Sequence, residues 1–111
     1  RAFASSPVLP LDSDEIISFE LAANHFLGGE ARGGKLLGTN RRLAFRPHRF
    51  NVRLATWSVP LADLTDLRTE GTRFLLVTTK SASEDRTQEH WLVVQDPVRV
   101  REQIERLAGR R

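Results

Sequence analysis

The stretch Gly33–Phe50, GGKLLGTNRRLAFRPHRF, carries six basic side chains and no carboxylate among glycines and regularly placed apolar residues. With Asn40-Arg41 as the turn of a two-residue hairpin, Leu36 faces Phe45 and Gly38 faces Leu43 on one side of the ribbon. That side belongs in a core. The opposite side receives Lys35, Leu37, Thr39, Arg42, Ala44 and Arg46, and it sets Lys35 directly across from Arg46. Like charges so placed repel unless something anionic sits between them. Arg at the second turn position is atypical of the favoured hairpin turns, so the register is an expectation for the structure to test.

Upstream, Ile17, Phe19, Leu21 and Ala23 alternate with Ser18, Glu20, Ala22 and Asn24, the pattern of a half-buried strand. A helix competes with it, because Asp12 and Glu15 have capping-box spacing and Ile16, Ala23 and Phe26 could share a face. Pro7 and Pro10 make residues 1–13 read as an extended arm, apolar enough around Pro7–Leu11 to pack somewhere. Downstream, Ala55, Trp57, Val59 and Leu61 alternate with Leu54, Thr56, Ser58 and Pro60. Leu64–Arg68, Phe74–Thr79 and His90–Val94 then follow, separated by Glu70-Gly71 and the polar loop Lys80–Gln88. Short strands joined by turns predict a sandwich or barrel. The chain ends differently: Asp96 as N-cap, Pro97 at the first helical position, Val100, Ile104 and Leu107 on one stripe and Gly109 at the stop predict one amphipathic helix. The reading is mainly β with one C-terminal α-helix covering an open mouth.

At 111 residues, 40% hydrophobic and 28% charged, the chain has the balance of one ordinary globular domain. No run approaches the ~18 apolar residues of a membrane span and no apolar signal core opens the sequence, so the expectation is a cytoplasmic protein, at most peripheral at a membrane. The absence of Cys excludes disulfides and thiolate chemistry. Net charge is only +3, but it is unevenly spread. Residues 2–31 hold five acids and no Arg or Lys, residues 32–53 hold seven Arg and Lys and no acid, and from residue 61 onward nine of each sign cancel.

Several runs carry a family resemblance. From ANHFLGG (23–29) and GGKLLGTNRRLAFRPHRFN (33–51) through WSVPLADLTDL (57–67) and FLLVTT (74–79) to DPVRVREQIERL (96–107), the chain resembles the GRAM family. The matching positions are Gly34, Leu36, Thr39, Arg42, Leu43, Phe45 and Pro47, then Pro60, Leu61, Asp63 and Leu64. The resemblance implies a pleckstrin-homology-like (PH-like) domain over residues 14–109, a seven-stranded antiparallel barrel or sandwich capped by the helix. It also implies a module that binds phosphoinositides, other anionic lipids or proteins.

The candidate site is the basic hairpin, with Lys35, Arg41, Arg42, Arg46, His48 and Arg49 as an anion-binding face for acidic headgroups. The plainer reading is a strand face charged for solubility. Nucleic acid is disfavoured, since Phe45 falls on the core side and leaves few aromatics to stack on bases. His25, His48 and His90 show no metal-binding spacing, and no nucleophile elbow or phosphate loop occurs, so no enzyme, cofactor or metal is expected. Trp57 and Trp91 read as core anchors. A protein-interaction or homodimerisation module is the alternative to lipid binding.

Overall fold

The computed structural model describes residues 11–27, 30–47, 57–81 and 86–109. Among these residues seven strands precede a helix: β1 Ile17–Leu27, β2 Glu30–Thr39, β3 Arg42–Pro47, β4 Trp57–Pro60, β5 Leu64–Glu70, β6 Phe74–Lys80, β7 Thr87–Val93 and α1 Pro97–Leu107. All belong to one antiparallel sheet in the order β4-β3-β2-β1-β7-β6-β5, which leaves β4 and β5 as edges rather than closing a barrel. A short 3₁₀ turn, Leu61–Asp63, links β4 to β5.

The expected hairpin register holds: Leu36 pairs with Phe45, Gly38 with Leu43 and Lys35 with Arg46. Thr39 makes the unusual turn workable. Its Oγ1 accepts hydrogen bonds from the backbone N–H of both Arg41 and Arg42, each 3.0 Å, so a side chain supplies what a primed turn would supply through its backbone. The Asp12/Glu15 spacing is a turn and not a helix start, with Glu15 N–H donating to Asp12 O at 3.0 Å and Asp12 N–H donating to Glu15 Oε1 at 3.1 Å.

The inward faces alternate as periodicity predicts, except at Ile17, which a register shift before Phe19 leaves exposed. Ala23, Leu36, Leu43, Phe45, Val59, Leu64, Leu67, Leu75, Val77 and Leu92 form one buried cluster, and Val100 and Ile104 of α1 close it. Asp96 caps the helix by accepting from the Arg99 N–H at 3.3 Å, and Gly109 ends it at φ +74°. Leu37 and Ala44 form a second, smaller buried pair on the opposite face of the hairpin. Of the two tryptophans only Trp57 packs against the main core. Trp91 lies on the outer face, edge-to-face with Phe74 at 5.4 Å, because it pairs with Leu76 and so points away from Leu75 and Val77. Strand β7 starts at Thr87, inside the segment the sequence reads as loop. Residues 54–56 of the expected fourth strand, and residues 1–10 of the expected arm, lie outside the described residues.

Two glycines are required by close approach. A Cβ at Gly34 would fall against the backbone oxygen of Arg46, 2.7 Å from the Pro47 Cα and 2.8 Å from the Phe45 ring. At Gly38 it would collide with the Phe19 ring and come within 2.8 Å of Leu107 Cδ1. Gly34 meets main chain, which cannot swing aside, whereas Gly38 meets side chains. Gly34→Ala is therefore expected to destabilise by about 1–3 kcal/mol, and Gly38→Ala by less. At about 4–8 °C per kcal/mol for a domain near this size, the difference is readable in a thermal melt. A Gly34→Ala melting temperature equal to wild type would contradict the packing described.

Candidate functional site

Strands β1, β2 and β3 lie side by side, so the acidic tract and the basic tract of the sequence are neighbours in space. Their charges meet in pairs. The Arg42 guanidinium forks onto Glu15, with Nε donating to Oε2 at 2.8 Å and Nη2 to Oε1 at 3.0 Å. The Thr39 hydroxyl donates to the same Oε2 at 2.6 Å. Glu15 is only 7% exposed. The bond from Arg42 is the main cause holding its carboxyl down at about 2, against the opposing effect of burial. Arg41 pairs with Asp14, and Arg46 Nη2 donates to Glu20 Oε2 at 2.9 Å. Asn40 completes the clamp by accepting from Ile16 N–H at 2.8 Å and donating to Asp14 O at 3.2 Å.

The structure thus brings Lys35, Arg42 and Arg46 onto one outer face with Arg41 at the turn, while His48 and Arg49 lie outside the described residues. Each of the three arginines already holds a carboxylate of its own chain. Sequence reading missed these partners. The available signal was the two adjoining blocks of opposite charge, which a β1-β2-β3 meander must superpose. Glu20 sits one register step from the Lys35–Arg46 pair and supplies the anion that juxtaposition needs.

A second cluster joins histidines far apart in sequence. His25 continues the inward series Phe19, Leu21, Ala23 and is 3% exposed. Its ring centroid lies 5.3 Å from those of Phe45 and Trp57 and 6.0 Å from that of His90, which is itself 4.7 Å from Trp57. Burial, helped by the charges of His90 and Arg32, pushes His25 down to about 4, and burial lowers His90 as well. Both imidazoles are neutral at pH 7 and pack as aromatic rings. Among the described residues no group of three or more His, Cys, Asp or Glu could hold a metal.

A third feature is a groove of about 540 Å³ between residues 19–24 of β1 and the β7–α1 junction. Leu21, Ala23, Val94 and Val100 make its apolar wall, and Arg73 and Arg99 stand at its rim.

Comparison with solved structures supports the architecture. The C-terminal domain of a protein from Leishmania infantum superposes with a TM-score of 0.70 at 13% identity, over 86% of each chain. The DH/PH domains of PDZ-RhoGEF, solved in complex with GTPγS-activated RhoA, match with a TM-score of 0.69 at 12% identity over 84% of this chain. The fold is PH-like. This chain spans 29% of the length of that second chain, and identities this low speak to fold alone. No family model and no curated protein matches the sequence. No helix among the described residues is long and apolar enough to cross a membrane.

Two expectations follow. His25 binds its proton in the unfolded chain near pH 6.5 but in the folded chain only near 4, so between these values the unfolded state holds more protons and stability falls as pH falls. The loss amounts to at most about 3 kcal/mol. Glu15, with its usual 4.5 lowered to about 2, extends the decline through that lower window. Urea melts from pH 7 to pH 3 should show this slope, and His25→Phe should reduce it between 6.5 and 4, leaving the share that buried His90 contributes. The second expectation separates the arginines. Arg42→Ala strands a buried carboxylate and should cost about 3 kcal/mol, whereas Arg46→Ala opens an exposed pair and should cost under about 1 kcal/mol. Equal losses in denaturant titrations would show that Glu15 is not the buried anchor described.

Proposed function

We propose that this chain is a non-catalytic binding module of the GRAM type, and that it binds another protein reversibly. The observation that carries the reading is the internal pairing of Arg41, Arg42 and Arg46 with Asp14, Glu15 and Glu20. An anionic headgroup would have to displace these carboxylates, and Arg42 could not leave Glu15 without stranding a buried charge. The apolar groove beside β1 carries no such internal occupant among the described residues. That a larger chain, part of which has this fold, is found in complex with RhoA supports a protein partner.

Association with an acidic membrane surface is the second reading, and one observation favours it. Lys35 stands across from Arg46, and among the described residues the carboxylate of Glu20 pairs with Arg46, which leaves the charge of Lys35 in excess on the outer face. Cosedimentation with neutral and anionic vesicles at low and physiological salt separates the two, using wild type and Lys35→Glu/Arg46→Glu, which spare the Arg42–Glu15 anchor. We expect no more than a twofold preference for anionic vesicles at physiological salt, unchanged in the variant. A preference of tenfold or more that disappears in a folded double variant would replace the protein reading by the membrane one.

A further inference from the structure

Strand β1 is paired unequally along its two sides. Against β2 its register runs from Ile17 to Leu27, but against β7 it pairs only at Asn24 and His25. Past that point β7 stays with the β6 side, where Val94 N–H donates to Arg73 O at 2.9 Å. Among the described residues, the β7-facing edge of β1 before Asn24 therefore has no strand paired with it, and where residues 19–23 line the groove every second N–H and C=O along that edge faces it. An open edge normally recruits a strand unless side chains discourage it. The edge strand β5 is discouraged, with exposed Asp66, Arg68 and Glu70. The β1 edge instead runs beside Leu21, Ala23, Val94 and Val100.

The charges at the groove choose the occupant. Its two carboxylates are engaged: Glu20 holds Arg46, and Asp96 caps α1. Its two guanidiniums are exposed, and neither Arg73 nor Arg99 has a carboxylate partner among the described residues, unlike Arg41, Arg42, Arg46 and Arg68. We infer that an extended acidic segment of a partner protein docks in this groove as an added strand on β1, its main chain pairing with residues 19–23, alternate apolar side chains facing Leu21 and Val100, and a carboxylate meeting Arg73 and Arg99. This rests on the protein-partner reading above and names the partner's chemistry. Main-chain pairing gives such docking its affinity, and the side-chain pockets and rim charges give it selectivity.

The test uses a library of random nine-residue peptides displayed on phage, selected in parallel on the wild-type chain and on Arg73→Glu/Arg99→Glu, both exposed sites whose folding is checked by circular dichroism. Peptides enriched on wild type should alternate apolar residues and carry Asp or Glu. Synthesised, they should bind the double variant at least tenfold more weakly, lose at least tenfold when alternate amides are N-methylated, and shift the amide resonances of residues 17–24 and 93–100. No enrichment, or affinities unchanged by charge reversal or by N-methylation, overturns the groove. Resonance shifts elsewhere, on the hairpin face or the β5 edge, overturn it while leaving a protein-binding module in place. Loss of that broader reading would come separately, from the vesicle preference described above.

Discussion

The fork between Arg42 and Glu15 is the contact on which the sheet's first half depends. It ties the segment entering β1 to the β2–β3 turn, and the Thr39 hydroxyl that bonds Glu15 sits on the oxygen that accepts the two N–H groups of the turn. Removing any one member leaves the others buried and short of a partner, the situation in which polar networks become costly. Such a pair is a modest source of net stability, since desolvating both ions offsets most of their attraction. Its effect is registration. A β1 slipped by one residue against β2 would bring neither Glu15 to Arg42 nor Phe19 over Gly38, so the polar clamp and the apolar alternation select the same alignment.

That alignment explains why the main elements could be read from the sequence. The inward residues of β1 from Phe19 onward, and those of β2 and β3, fall at every second position, and α1 begins and ends on Asp96, Pro97 and Gly109, each with a local reason to be there. What could not be read was pairing between distant positions. Nothing local in Arg42 announces that a carboxylate twenty-seven residues earlier holds it. Trp91 misled for a related reason, since both faces of the sheet near β6 are apolar and hydrophobicity alone does not say which face a residue takes. Likewise His25 lies on the inward series, but only the assembled ring cluster with Phe45, Trp57 and His90 shows it as a neutral core residue.

The same distinction separates charge composition from charge availability. By sequence, residues 32–53 hold seven cations and no anion, which reads as an anion-binding tract. In three dimensions Arg41, Arg42 and Arg46 are largely answered within the chain, and the exposed cations without a carboxylate among the described residues include Arg73 and Arg99, in a region where acids and bases balance in number. Counting along the chain locates charge; only pairing in space shows which charge remains to attract a ligand.

The geometry of β1 links these points. A strand of eleven residues that belongs to both halves of the sheet cannot remain hydrogen-bonded on both sides where the sheet folds over on itself, because twist carries β7 away from it after two residue pairs. Helix α1 covers part of the resulting corner with Val100 and Ile104, and leaves the portion beside Phe19–Asn24 as the groove. The opening is therefore a consequence of how a long strand and one capping helix complete this fold, and the cations at its rim lie where the ladder parts.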